Sequence, residues 1–172
     1  GIALPAATLR PETIFGVTNL WINPEADYVE AMFKGRRIIV SKVAGAKLKG
    51  QYADVSISRE LKGSELIGRH AINPMTKNGI VILPAGFVDP ANATGVVMSV
   101  PAHAPYDLLA LRDAKGSPEW LSKYGVMARW VEGIVPVPVV QLEGYSRIPA
   151  QDVVDRMGIK NQMDPKAEDA TK

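Results

Sequence analysis

One segment decides the fold: Ala93-Thr94-Gly95-Val96-Val97-Met98-Ser99-Val100-Pro101-Ala102-His103-Ala104-Pro105-Tyr106-Asp107. Its first half is a short apolar run between a glycine and a proline, which predicts a buried strand. Pro101 and Pro105 lack amide donors and favour extended geometry in the residue before each, so the strand ends in a rigid turn. Good helix formers follow Asp107 and place it near a helix start. We therefore expect a buried strand that carries His103 and Asp107 to a pocket mouth.

The composition describes an ordinary globular domain and excludes several classes of site. The chain has 172 residues, 47% hydrophobic and 22% charged, which is enough for one domain with its own core. A net charge of +2 is too small to argue for nucleic-acid binding by itself. The absence of cysteine excludes disulfides and thiolate zinc sites, and two histidines argue against a histidine-based metal site. No signal peptide is visible and no apolar run reaches the ~20 residues of a membrane span, so we expect a cytoplasmic location without membrane contact.

Both ends suggest a piece of a longer protein. There is no initiator Met, the chain opens in strand-like residues 2–7, and it closes on the polar tail 164–172. We expect a single domain over residues 1–172, excised from a larger chain.

The remaining pattern predicts eight or nine strands and three or four helices without regular alternation. That count argues against a doubly wound parallel sheet and favours a mainly β, α+β fold with a closed or strongly curved β-barrel core and short peripheral helices. The strands are expected at 2–8, 17–22, 26–33, 36–43, 55–58, 80–83, 95–100 and 134–142, with 61–70 irregular or bulged. The helices are expected at 44–49, 107–114, 117–125 and 149–157. Lys34-Gly35 suits a hairpin turn, although residues 25–33 also allow a helix.

Two hydroxyls, a guanidinium and a carboxylate occur within six residues, Thr8-Leu9-Arg10-Pro11-Glu12-Thr13. Such groups at a turn suit ribose or phosphate oxygens. The structural alternative is a capped helical turn with Thr8 as N-cap, Pro11 at the first helical position and Arg10 in a surface ion pair. From this segment alone the structural alternative is favoured.

His103 and Asp107 allow a second pair of interpretations. They suit an oriented base or a cation site. The alternative is that Asp107 caps the following helix while His103 packs beside Pro101. Met98 and Val100 are pocket wall or simply core. No nucleophile elbow and no glycine-rich phosphate loop occurs.

Taken together, residues 7–21 and 93–107 resemble the two signature segments of class I aminoacyl-tRNA synthetase editing domains. The segment Asn19-Leu20-Trp21 and the continuation Pro105-Tyr106-Asp107 match the leucyl-tRNA synthetase editing domain (the CP1 insertion) of archaeal or eukaryotic cytosolic type. The likeness covers nearly the whole chain and rests on two segments about 85 residues apart.

The resemblance implies post-transfer editing. The 3′ end of a mischarged tRNA(Leu) enters the domain, and the ester of norvaline, isoleucine or a similar amino acid is hydrolysed while leucine is rejected. A positioned water does the chemistry, without a metal and without a covalent intermediate. No cofactor is expected in this domain, since ATP and Mg belong to a separate catalytic domain of the parent synthetase. The partners implied are the tRNA 3′ end and the rest of that enzyme.

The resemblance also assigns roles to residues. Asp107 would hold the α-ammonium of the substrate, while Thr8 and Arg10 line the site near the ester. Thr13 would crowd out leucine. The wall around the amino acid and the adenosine is formed by Met98, Ser99 and Val100, and His103 is a further site residue. Leu9 stands where the bacterial pattern has a second threonine, which puts any mechanism with two adjacent hydroxyls in doubt.

Three alternatives remain open at this stage. The first is a non-catalytic RNA-binding β-barrel module. The second is a valyl- or isoleucyl-type editing domain. The third is a small β-barrel interaction domain without a small-molecule site.

Overall fold

The computed structural model describes residues 1–170, which form eight strands, six α-helices and two 3-10 helices; the last two residues of the predicted polar tail lie outside the described range. The strands are β1 (Ile2–Ala3), β2 (Asn19–Ile22), β3 (Asp27–Phe33), β4 (Arg36–Ser41), β5 (Ser56–Lys62), β6 (His70–Ile72), β7 (Gly79–Pro84) and β8 (Val96–Ser99). The α-helices are α1 (Lys42–Gln51), α2 (Pro105–Gly116), α3 (Pro118–Ser122), α4 (Ala128–Glu132), α5 (Pro149–Met157) and α6 (Lys166–Asp169). The 3-10 helices cover Pro11–Gly16 and Gly63–Glu65.

The strands form two four-stranded sheets, with the orders β1-β4-β3-β5 and β6-β7-β2-β8. In the second sheet β2 pairs in parallel with β7 and antiparallel with β8. The expected α+β class is confirmed. The expected closed barrel is not confirmed, because the ladders within residues 1–170 divide into two sheets that do not close.

The predicted hairpin between β3 and β4 is present. Phe33 pairs with Arg36, and the two residues between them have φ of 48° (Lys34) and 72° (Gly35). Two consecutive left-handed residues match the twist of a tight hairpin, and a glycine second makes that turn accessible. Residues 27–33 are therefore a strand, and the helical alternative for this segment is wrong.

Several predicted boundaries are wrong for identifiable reasons. The expected strand over 134–142 is absent from the ladders of residues 1–170, since Pro136 and Pro138 cannot donate to a neighbouring strand. Helix α1 starts at Lys42, inside the predicted strand, because the Ser41 hydroxyl accepts the Ala44 N–H at 3.1 Å and caps it. Strand β1 is two residues rather than seven, and the sequence did not predict α4 and α6.

Strand β2 has apolar packing on both faces and so fixes the centre of the molecule. Trp21 packs into a cluster with Ala110 and Leu111 of α2, while Leu20 and Ile22 belong to the cluster on the other face. Helix α5, which begins at Pro149 and ends at a left-handed Gly158 as predicted, packs on the far side of α2. The start of α2 is thereby held over the ends of β2 and β8.

No helix within residues 1–170 has the length and apolar character needed to cross a bilayer.

Candidate active site

Two adjacent cavities open beside β8 and share one wall. The first has a volume of about 290 Å³ and the second about 600 Å³. Residues common to both are Ala7, Thr8, Thr13 and Val100. The structure thus brings the two signature segments of the sequence together, although they are far apart along the chain.

The shared wall separates two different linings. The first cavity is completed by the loop between β7 and β8 together with β8 itself, through Phe87, Val88, Asp89, Asn92, Ala93, Val96, Val97 and Met98. The second is lined by Leu9, Arg10 and His103 on one side and by the segment 140–153 on the other. The first cavity therefore combines apolar walls with polar groups, and the second is largely apolar with a basic rim.

Local hydrogen bonds shape the segment from Thr8 to Thr13. The Thr8 hydroxyl accepts the Arg10 N–H at 3.0 Å, and the Thr13 hydroxyl donates to the Arg10 carbonyl at 2.7 Å. Pro11 occupies the first helical position as predicted, but Arg10 and not Thr8 stands at the N-cap. Thr8 is exposed, whereas Thr13 is only 7% exposed. A hydroxyl at the shared wall is consequently accessible at position 8.

Arg10 and Leu9 project from the same turn. Both side chains are exposed, and within residues 1–170 no acidic group forms an ion pair with Arg10. Among residues 1–170 the surface pair considered for Arg10 is thus not formed, and its guanidinium lies at the rim of the second cavity. Leu9 is fully exposed beside it.

Asp107 is a buried carboxylate held by two donors. Its Oδ1 accepts the Trp21 Nε1–H at 3.1 Å, and its Oδ2 accepts the Val100 N–H at 2.8 Å. The side chain makes no capping bond to α2, although it lies in that helix's first turn. It lines neither cavity directly and sits behind Val100, which lines both. Burial raises the pKa of Asp107 to about 7, and the two hydrogen bonds oppose that rise.

His103 faces the second cavity and fastens a distant segment. Its Nε2 accepts the Val139 N–H at 2.9 Å, and the Val140 N–H lies 3.4 Å from the same atom. An accepting Nε2 places the proton of the neutral ring on Nδ1. Partial burial lowers the pKa of His103, and the nearby positive charge of Arg10 lowers it further. His103 and Asp107 do not form an oriented pair, because no hydrogen bond joins them: His103 Nε2 accepts from Val139, and the Asp107 oxygens accept from Trp21 and Val100.

The β8 residues do not all face the cavities. Met98 lines the first cavity and Val100 lines both. Ser99 is fully buried, and its hydroxyl has no hydrogen-bond partner within residues 1–170. Ser99 is in the lining of neither cavity. The expected wall role of Ser99 is therefore not supported by the geometry.

Sequence reasoning missed Trp21 and the segment around Val139 as parts of the site. A buried indole N–H needs an acceptor, and that is the one sequence signal that Trp21 offered. Its acceptor lies 86 residues further along the chain, so nothing local identified it.

Within the part of the chain that the structure describes, no three metal-binding side chains gather into a potential ligand set.

Comparisons with known proteins agree with this fold. Residues 3–112 match the family model described as "Leucyl-tRNA synthetase, editing domain". The chain is 51% identical to the leucine–tRNA ligase of Pyrococcus furiosus over 176 residues, covering 99% of this chain and 18% of that protein. It is also 51% identical to the leucine–tRNA ligase of Pyrobaculum islandicum over 172 residues, covering 100% of this chain and 16% of that protein.

Solved structures show the same architecture. The crystal structure of GlLeuRS-CP1 superposes with a TM-score of 0.85 at 28% identity, covering 99% of this chain and 66% of that one. The cytosolic leucyl-tRNA synthetase editing domain of P. knowlesi superposes with a TM-score of 0.89 at 20% identity, covering 99% of this chain and 69% of that one, and supports the fold alone.

The fold is that of a synthetase editing module, and the chain belongs to the family of leucyl-tRNA synthetase editing domains. It spans less than a fifth of the length of the leucine–tRNA ligases that it matches.

Proposed function

We propose that this domain is an aminoacyl-tRNA deacylase that hydrolyses the ester of mischarged tRNA(Leu) within a cytoplasmic leucyl-tRNA synthetase. One observation carries the proposal: Thr8, Thr13 and Val100 separate two cavities beside the buried carboxylate of Asp107. The substrate likewise has two parts, an amino acid and a terminal adenosine, which one ester joins. The proposed hydrolysis uses neither ATP nor Mg, which belong to the parent enzyme's separate catalytic domain.

The linings favour one orientation of that substrate. Adenosine has a flat apolar base and several polar edges, which suit the first cavity with Phe87, Met98 and Asn92. An aliphatic side chain suits the second cavity, where Val100 and Thr13 meet an apolar wall. The ester would then lie at the shared wall, within reach of the Thr8 hydroxyl, with Arg10 at the rim for a phosphate.

Asp107 would anchor the α-ammonium of the amino acid; because this side chain is buried behind Val100 and lines neither cavity, the ammonium would have to pass the Val100 wall to reach it. A carboxylate offers roughly four lone-pair positions, of which Trp21 and Val100 use two. A cation at the remaining positions forms a charge-assisted hydrogen bond and favours the ionised acid. This bond would orient the ester carbonyl toward a water molecule. Because the ester is already activated, orientation can supply much of the rate enhancement.

Thr13 would supply the selectivity. A binding site that must exclude one additional methylene discriminates by only ~1–3 kcal/mol, so synthetases need a second selection step. Thr13 is buried at the shared wall and fixed by its bond to the Arg10 carbonyl. A fixed side chain at that point is positioned to reject leucine while smaller or differently branched amino acids enter.

The test is deacylation of norvalyl-, isoleucyl- and leucyl-tRNA(Leu) by the 172-residue chain and by a full-length ligase that contains it. We expect hydrolysis of the first two, little hydrolysis of the third, and loss of activity in Asp107→Ala with the fold retained by circular dichroism. Wild-type rates in Asp107→Ala would remove the carboxylate from the mechanism. Binding of tRNA without hydrolysis would favour an RNA-binding module, and preference for valyl- or isoleucyl-type substrates would favour the related editing domains.

A further inference from the structure

We propose that Trp21 is a positioning residue, whose indole N–H holds the Asp107 carboxylate in the orientation that receives the substrate's ammonium. The inference rests on the proposed deacylase function. It adds a residue for which the sequence motifs gave no role, on an element that lines neither cavity.

One donor to Asp107 lies on β2, the other directly follows the neighbouring strand β8, and each engages one oxygen. Trp21 Nε1 lies 3.1 Å from Oδ1, and Val100 N lies 2.8 Å from Oδ2. A carboxylate held at both oxygens has its plane and its rotation fixed. Removing the Trp21 donor would leave one attachment point, about which the group can turn.

The indole is itself held rigidly. Trp21 has no solvent exposure and meets the Phe87 ring edge-to-face, with centroids 6.0 Å apart. Phe87 in turn contacts Tyr106 at 5.4 Å, directly before Asp107 in α2. Phe87 also lines the first cavity. A series of ring contacts thus connects Phe87 in the cavity wall with the donor Trp21 and with the start of α2, the helix that carries Asp107.

A tryptophan suits this role because its donor is neutral. The indole N–H only donates and cannot take a proton from the acid. A lysine or arginine at the same place would pair with Asp107 and cancel the charge that must attract an ammonium. Within residues 1–170 no cationic side chain forms a salt bridge with Asp107. The carboxylate is therefore oriented by neutral donors, and its negative charge in the ionised form is left for the substrate.

The experiment compares the wild-type chain with Trp21→Phe, which keeps an aromatic ring and removes the donor. Trp120→Phe is the matched control, since Trp120 of α3 packs against Tyr124 and the same core cluster but lines neither cavity and makes no hydrogen bond to Asp107. A benzothienylalanine incorporated at position 21 preserves the bicyclic shape without the N–H and serves if the phenylalanine variant does not fold.

Two readouts separate positioning from packing. The first is the titration of the Asp107 carboxyl carbon by ¹³C NMR in the free domain, assigned with Asp107→Asn. The second is kcat/KM for norvalyl-tRNA(Leu) at pH 6.0 and pH 7.5. Because the indole bond favours the ionised acid, we expect a higher Asp107 pKa in Trp21→Phe and an unchanged one in Trp120→Phe.

We expect kcat/KM of Trp21→Phe to fall about tenfold at pH 6.0 and by less at pH 7.5, as for the loss of one hydrogen bond to a charged group. An unchanged Asp107 titration, or an equal loss of activity at both pH values, would overturn the positioning role. If the wild-type domain does not hydrolyse the ester, the proposed function fails, while the titration still decides whether Trp21 controls the carboxylate.

Discussion

His103 and Val139 are 36 residues apart, yet the Val139 backbone N–H donates to His103 Nε2 at 2.9 Å. This bond fastens the extended segment 134–142 to the edge of the second cavity. The same segment approaches Gly16 so closely that a Cβ there would lie 2.9 Å from the Val137 carbonyl oxygen. A segment without a sheet partner is thus held in place by a side chain of the candidate site.

Acidification should release the segment 134–142. Protonated Nε2 cannot accept, and the pKa of His103 is lowered in the folded state. The stability that His103 contributes is therefore present above its ordinary value of 6.5 and is lost as pH falls through the lowered folded-state value. We expect weaker amide protection of Val139 at pH 5 than at pH 7.5, after correction for intrinsic exchange.

Substituting the histidine should have the same local effect at neutral pH. We expect His103→Ala to lower the free energy of unfolding by about 1 kcal/mol, as for one hydrogen bond, and to reduce Val139 protection. His70→Ala is the control, since its ring contacts Trp130 on a different surface. Equal protection of Val139 in both variants would show that His103 does not hold the segment.

Asp107 should make the domain less stable as pH rises. Its folded-state pKa of about 7 lies above the ordinary 3.8, so its contribution to stability is fully present below pH 3.8 and is lost as pH rises to 7. The Asp107→Asn variant lacks this titration. We expect the wild-type free energy of unfolding, minus that of the variant, to be roughly 3–4 kcal/mol larger at pH 4 than at pH 8.

Urea denaturation of both proteins at the two pH values gives this difference directly. Other carboxylates titrate in both proteins and cancel in the subtraction. A difference that does not vary with pH would mean that the carboxylate is not buried in the folded domain.

Thr13→Ala should allow hydrolysis of correctly charged tRNA. The variant removes a methyl group and a hydroxyl from the wall between the cavities, and we expect leucyl-tRNA(Leu) hydrolysis to rise by at least about tenfold. Thr13→Val is the matched control, since it keeps the bulk and loses only the bond to the Arg10 carbonyl. Retained leucine rejection in Thr13→Ala would assign the selection step to another residue.

Gly95→Ala should destabilise the strand that carries the site. Gly95 has a φ of 71°, and an added Cβ would lie 2.6 Å from Ser41 Cβ. The strained backbone and the overlap predict a loss of roughly 2–4 kcal/mol. Gly79→Ala, where nothing lies within 4 Å of the added atom, should change the free energy of unfolding by less than about 0.5 kcal/mol. Similar values for the two variants in urea denaturation would contradict the tight contact at Gly95.

Local chemistry made part of the fold predictable. The turn at Lys34-Gly35, the proline at the start of α5 and the left-handed Gly158 at its end each act within a few residues, and the structure has all three features. The segment 134–142 shows where local reasoning fails. Its alternating valines resemble a strand, but a strand also needs a partner and amide donors, and the prolines remove two of the donors.

The sequence predicted that the two signature segments meet, but it did not predict the geometry of the cavities or of Asp107. The two signature segments do meet at Thr8, Thr13 and Val100. The burial of Ser99 away from both cavities depends on how β8 packs against its neighbours, which local sequence does not determine. The partners of Asp107 depend on how α2 crosses the ends of β2 and β8, which only the tertiary structure determines.

The long separation between Trp21 and Asp107 has a consequence for folding. Contacts between distant parts of a chain form slowly, because a large loop must close before they contribute. We therefore expect Asp107 and its two donors to come together late, after β2, β7 and β8 have paired and α2 has docked. In a partly folded molecule the Asp107 carboxyl would be exposed to water and would have its ordinary pKa. Such a molecule would lack the oriented carboxyl group of the folded domain.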